Sequence, residues 1–186
     1  MLKTAMRYSH ELLSEVVRTG DHVVDATMGN GHDTLFLAQL VGPSGTVDAF
    51  DIQEAAILAT QEKLADFADS QAVHLHLDGH ENVAQYLNEE KIKAAVFNLG
   101  YLPKSDKQII TRPQTTKKAL DALLIRLVPK GRIVIVCYYG HPGGQAELDT
   151  VQTYCRQLPQ AQYNVLTYQF INQKNQPPLL FCIEAK

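Results

Sequence analysis

Short apolar runs alternate along this chain with stretches whose apolar residues recur at helical spacing, and that alternation predicts a layered α/β fold. Leu12, Leu13, Val16 and Val17 fit one face of an opening helix, which Gly20 stops. Strands are expected at 22–26, 46–50, 72–77, 94–98 and 132–138, and helices at 32–41, 54–67, 81–88, 114–127 and 145–157. The run 132–138 is the most continuous, as a central parallel strand buried on both faces requires. Two last strands, 162–170 and 179–184, flank the turn signal Asn175-Gln176-Pro177-Pro178 with no helix between them, so they should pair antiparallel. Five βα repeats and a closing hairpin predict a single domain over 1–186. Its sheet is doubly wound, seven-stranded and mostly parallel, with ligands at the carboxyl ends of the strands.

Composition narrows the setting. At 186 residues with 45% apolar and 20% charged positions, the chain suits one soluble domain with a proper core. No apolar run approaches the ~20 residues that span a bilayer, so no membrane association is expected. The amino terminus, Met1 to Arg7, has no apolar signal core, which argues against secretion and for a cytoplasmic protein. Cys137, Cys155 and Cys182 lack a paired spacing and are expected as reduced core thiols. The net charge of −3 hides an asymmetry: residues 1–103 carry 15 acids and six bases, whereas Lys104, Lys107, Arg112, Lys117, Lys118, Arg126, Lys130 and Arg132 crowd into 104–132. A basic face on an acidic body suits a polyanion bound at one place; a merely solvated helix face is the other reading.

Chemistry concentrates where strands meet turns. His22 to Asp33 is an apolar run that ends in Asp25 and breaks into the turn Gly29-Asn30-Gly31, and a second run ends eighteen or so residues on at Asp51. Glycines let the backbone approach a nucleoside, and an acid ending the next strand accepts from its ribose hydroxyls. A dinucleotide site wants a third glycine where this chain has Thr34, and Asp33 on the first helical turn would repel a pyrophosphate but tolerate an ammonium group. Thr27, Gly29, Asn30, Gly31, Asp33, Asp51 and Gln53 are therefore candidate contacts for a positively charged nucleoside. Gly79 and His80, beside Asp78, follow the third strand where a base would lie; Asp78 reads equally well as a helix cap. His74 and His76 share a strand face but lack a third ligand, so no metal is called for.

The fourth strand runs into Asn98-Leu99-Gly100-Tyr101-Leu102-Pro103, where amino-group methyltransferases carry an Asn/Asp-Pro-Pro-Tyr/Phe element. Asn98 and Tyr101 keep the first and fourth places of that element. The Asn98 carbonyl oxygen can aim an acceptor nitrogen, and Tyr101 can stack on an unpaired base. Tyr138 to Gly144 ends the fifth strand at the same edge; Tyr139 suits a base pocket and His141 a late proton transfer or a phosphate contact. Lys104, Arg112, Lys117 and Lys118 are candidate phosphate contacts.

Seven strands with a terminal hairpin match the Rossmann-like plan of class I methyltransferases, and residues 25–33 resemble their motif I. With Phe50-Asp51-Ile52-Gln53, Val96 to Pro103, Gly140-His141-Pro142 and Phe170-Ile171-Asn172-Gln173, nearly the whole chain resembles the small bacterial "putative rRNA methylase" group, understood as tRNA 5-aminomethyl-2-thiouridine methyltransferases. Lys104-Ser105 stand where that group has glycines. The resemblance implies S-adenosylmethionine as cofactor and the anticodon stem-loop of tRNA as partner. It implies methylation of the aminomethyl group on the wobble uridine, and a homodimer is compatible with it. A ribosomal RNA or small-amine acceptor, a nicotinamide-dependent oxidoreductase and a non-catalytic RNA-binding module are the competing functions.

Overall fold

Strands and helices alternate through the computed structural model, which describes residues 1–100 and 110–186. The strands are β1 (His22–Asp25), β2 (Thr46–Asp51), β3 (Val73–Leu77), β4 (Ile92–Leu99), β5 (Leu127–Cys137), β6 (Tyr163–Tyr168) and β7 (Leu179–Ala185). They form one sheet in the order β3-β2-β1-β4-β5-β7-β6. The first five pair parallel, while β7 runs antiparallel to both β5 and β6. From β1 the chain winds outward to β3, and from β4 it winds the other way. The topological switch point, where such sheets open a crevice, lies between β1 and β4.

Among the described residues, six α-helices cover the sheet: α1 (Ala5–Ser14), α2 (His32–Val41), α3 (Glu54–Leu64), α4 (Val83–Leu87), α5 (Pro113–Leu124) and α6 (Gly144–Gln157). The period-two alternation of the strands sorts their side chains. Val23, Val47, Val96 and Val134 pack with Leu13 of α1 and Leu37 of α2, whereas Val24, Phe50, Phe97 and Ile135 pack with Leu87, Leu120 and Val151 on the opposite face. The three cysteines are buried free thiols. No helix among the described residues is long and apolar enough to cross a membrane, and no group of three or more His, Cys, Asp and Glu side chains there could hold a metal ion.

Sequence periodicity overran several boundaries. The opening helix ends at Ser14, and Val16 and Val17 follow in a turn whose amides bond back to Leu13. Helix α3 stops at Leu64 rather than residue 67, and the helix expected over 81–88 splits into a 3-10 turn at His80–Asn82 and the short α4. Helix α5 ends at Leu124, because Leu127 already pairs with Ile92 as the start of β5. Pro129-Lys130-Gly131 forms an irregularity inside β5, which begins before the expected residue 132. Gly131 is required there, since a Cβ would sit 2.7 Å from the Lys93 carbonyl oxygen.

The histidine pair on β3 separates in role. His74 is exposed. His76 Nε2 donates to Asp48 Oδ1 at 2.6 Å, and His22 Nε2 donates to Asp48 Oδ2 at 2.6 Å. Burial pushes the Asp48 pKa up, but the bonds from His22 and His76 outweigh it and hold it at about 2. Three adjacent strands are thereby tied by one carboxylate.

Candidate active site

At the end of β1 the chain turns through Gly29 (φ +52°) and Gly31 (φ +74°), left-handed conformations that favour glycine. A Cβ on Gly31 would lie 2.8–2.9 Å from Thr60 of α3, so the turn and that helix approach more closely than any side chain allows. Gly31 caps α2, whose amino terminus faces the crevice. Asp25 holds the turn from beneath: fully buried, it accepts from the Thr34 hydroxyl at 2.7 Å and from the Thr27 amide at 3.2 Å. Burial first, and the neighbouring Asp33 second, raise its pKa well above the usual carboxylate range. Thr34, standing where a dinucleotide fold has glycine, is the hydroxyl that satisfies this buried acid.

Asp51 ends β2 and accepts from the amides of Gly29 at 3.1 Å and Gln53 at 3.0 Å. Burial raises its pKa against those bonds. Its carboxylate thus spans from the glycine turn to the start of α3 and remains on the cavity wall. Next to it, His80 is buried and lodges Nδ1–H on the Ala26 carbonyl at 3.0 Å. Burial lowers its pKa, and its buried Nε2 has no hydrogen-bond partner among the described residues. Asp78 also lines the cavity and spends its oxygens on the amide of Gly79, the Asn82 side chain and the Tyr86 hydroxyl, while the turn at His80–Asn82 is capped by Gly79 without a side-chain bond.

Asn98 lies near the end of β4, across the switch point. Its amide N–H donates to the Thr27 hydroxyl at 2.7 Å, and its side-chain NH2 donates to Asp33 Oδ2 in a very short bond. The other Asp33 oxygen accepts from His10 Nε2 at 2.6 Å. Asn98 Oδ1 is left buried with no partner among the described residues. Sequence reasoning missed His10. Its only signal is helical spacing, which places it one turn before the buried Leu13.

These groups surround one cavity of about 860 Å³, within the usual range for a small-molecule site. Thr27, Gly29, Asn30, Asp33, Asp51, Gln53, Gly79, His80 and Asn98 all line it, with Arg112, Thr115 and Tyr138 at the β4–β5 side. Among the residues expected at the site, Gly31 shapes the turn from behind. Tyr139 packs against the core while Tyr138 takes the cavity wall, because neighbouring strand-end residues point to opposite sides. His141 is absent from the cavity lining; its Nδ1 lies 3.0 Å from the Pro142 carbonyl, and its Nε2 is near Gly100. Tyr101 and Lys104 lie outside the described residues.

The basic segment divides. Arg112 borders the cavity, and Lys117 and Lys118 are exposed along α5. Lys117 also lines a shallow hollow with Asp149 and Tyr154. Arg126 bonds the carbonyls of Asn88 and Ala122, and Arg132 pairs with Glu15 and Glu184, so these two cations brace the fold. Glu147, also missed by sequence reasoning, is buried in α6 and accepts from the hydroxyls of Thr111 at 2.5 Å and Thr116 at 2.7 Å. Thr111 in turn accepts from the Gly100 amide at 3.0 Å. One buried acid therefore sets the end of β4, the start of α5 and the cavity edge between them.

The donor set fits a cationic nucleoside rather than a dinucleotide. Among the described residues, Asp33, Asp51, Asp78 and Glu81 line the cavity against the guanidinium of Arg112, a field that opposes a pyrophosphate and favours a positive charge. Residues 47–184 match the family model described as "Putative rRNA methylase". The chain is similar to a chloroplastic protein of Arabidopsis thaliana named tRNA (mnm(5)s(2)U34)-methyltransferase, with 37% identity over 99% of this chain and 70% of the plant protein. It is also similar to a crystal structure from Clostridium thermocellum described as a "putative rRNA-methylase" (45% identity, all of both chains, TM-score 0.97). A Streptococcus mutans protein described as a "putative methyltransferase", solved in complex with SAH, shares 43% identity over all of both chains with a TM-score of 0.91.

Proposed function

The chain belongs to the "Putative rRNA methylase" family, and from that premise we propose that it is an S-adenosylmethionine-dependent tRNA methyltransferase. The reading makes its acceptor the primary amine of 5-aminomethyl-2-thiouridine at the wobble position, and its product the 5-methylaminomethyl form. The name of the Arabidopsis relative and the SAH carried by the Streptococcus structure support this reading. One observation on this chain carries it: Asn98 lines the cavity, and its buried Oδ1 has no hydrogen-bond partner among the described residues. A lone acceptor oxygen suits an acceptor atom that brings N–H donors, and a buried acceptor left unsatisfied costs about 1–3 kcal/mol.

Asp51 and Gln53 would hold the ribose of the cofactor, His80 and Gly79 its base, and the Gly29–Gly31 turn with Asp33 its amino-acid end. When bound, S-adenosylmethionine supplies a methyl group on a positively charged sulfur. The chain's own residues supply aim and environment. Asn98 Oδ1 accepts one N–H of the amine and directs the nitrogen lone pair. An alkylammonium has no lone pair and an ordinary pKa of about 10.4; enclosure in the cavity beside a second positive charge disfavours that protonated form. The amine proton passes to water. Arg112, Lys117 and Lys118 would meet anticodon-stem phosphates around the opening.

The deciding assay offers a labelled methyl donor to tRNA from cells lacking this gene, followed by nucleoside analysis. Label in 5-methylaminomethyl-2-thiouridine is expected. Label confined to ribosomal RNA, or none on either RNA, would discard the reading.

A further inference from the structure

An amide side chain can present either end to a ligand, and only its neighbours decide which. The Asn98 NH2 faces Asp33, and a carboxylate accepts hydrogen bonds without donating. Asp33 therefore takes the NH2 end of the amide and leaves the carbonyl oxygen as its free acceptor end, on a residue that lines the cavity. Asp33 is itself buried and must be held against rotation. His10 Nε2–H does this from α1 at 2.6 Å, with its ring stacked on Phe36 at 3.9 Å between centroids and 6° between planes. His10 does not line the cavity. The chain of contacts runs from His10 on α1 through Asp33 on α2 to Asn98 on β4, three elements that meet only in the folded state.

We propose that His10 is a positioning residue of the methyl-acceptor site, which through Asp33 locks the Asn98 amide with its oxygen toward the acceptor nitrogen. The proposal rests on the amine-methylation reading above. It separates two roles that one histidine could fill: a flat ring on Phe36, or an N–H on Asp33. His10→Phe keeps the ring and removes the donor; His10→Gln keeps a donor at similar reach and removes the ring.

The test measures kcat and KM on aminomethylated tRNA, SAH affinity by calorimetry, and the Asn98 side-chain amide signals by NMR, assigned by their loss in Asn98→Ala. His10→Phe should lower kcat about 10- to 100-fold, the scale of a misaligned reacting group, with KM within about twofold of wild type and SAH affinity, to which the loosened Asp33 also contributes, falling by no more than about fivefold. His10→Gln should stay within about threefold of the wild-type kcat, since its N–H restores the hold on Asp33. The Asn98 NH2 signals should shift in the Phe variant and not in the Gln variant. The reverse order, with Phe active and Gln impaired, makes the ring the working part and overturns the proposal. So does an unchanged kcat in the Phe variant, or a loss of SAH affinity parallel to the loss of turnover. If wild-type protein methylates no aminomethylated tRNA, the amine reading fails separately. The NMR comparison then decides the His10 hold: unaltered Asn98 signals in His10→Phe overturn it, and shifted ones sustain it.

Discussion

At the scale of single residues, the site depends on two side chains that do different work on opposite sides of the switch point. Asp51 accepts from Gly29 and Gln53 while facing the cavity. On the proposed reading, Asp51→Ala removes the ribose acceptor and loosens the glycine turn together. Calorimetry should show SAH affinity falling about 10- to 100-fold, the worth of one or two charge-assisted hydrogen bonds. Asn98→Ala should do the converse, leaving SAH affinity within about threefold while single-turnover methyl transfer falls about 100-fold. An Asn98→Ala enzyme that turns over normally would remove the amide from the acceptor site. Both residues stand out in the sequence because each ends an apolar run. His10 and Glu147 do not stand out: each sits in a helix with ordinary periodicity, and its partner is 23 or more positions away.

Between elements, buried acids act as ties. Asp48 joins β1, β2 and β3 through His22 and His76. Its folded-state pKa of about 2 lies below the ordinary 3.8, so its ionised form stabilises the fold. That contribution is complete above the unfolded value and is lost as pH falls from about 4 toward 2. Asp48→Asn should lower stability at pH 7 by about 1–2 kcal/mol and flatten the acid limb of a urea-denaturation series between those pH values. Glu147 ties α6 to Thr111 and Thr116. Glu147→Ala leaves two hydroxyls without their acceptor and opens a void, and an unfolding free energy reduced by about 2–4 kcal/mol is expected. The strands, the central helices and the closing hairpin were legible because period-two and period-3.6 patterns are properties of neighbouring residues. The ends of α1, α3 and α5 were not, because helices stop where tertiary pairing begins, as Leu127 on Ile92 illustrates.

Over the whole molecule, charge is arranged rather than merely distributed. Arg126 and Arg132 are spent on carbonyls and carboxylates of the fold, which leaves Arg112, Lys117 and Lys118 as the described cations of α5 and its cap near the cavity or on the exposed helix surface. Lys117→Ala with Lys118→Ala should weaken tRNA binding and reduce the slope of log K against log salt by about one for each phosphate no longer neutralised. Filter binding across a salt series measures it, and an unchanged slope would place the RNA elsewhere on the surface.

Taken alone, the amino-acid order determined the βα repeats, the glycine turn, the acids ending β1 and β2, and the asparagine at the end of β4, because each is written in residues adjacent along the chain. Tertiary structure alone decided that β4 lies beside β1, which brings Asn98 to Thr27 and Asp33. It also decided that Tyr138 rather than Tyr139 meets the cavity, and that His10 stands behind Asp33. The physical reason is range: backbone periodicity is a local property, whereas the direction of a hydrogen bond between distant segments exists only once packing has set their separation.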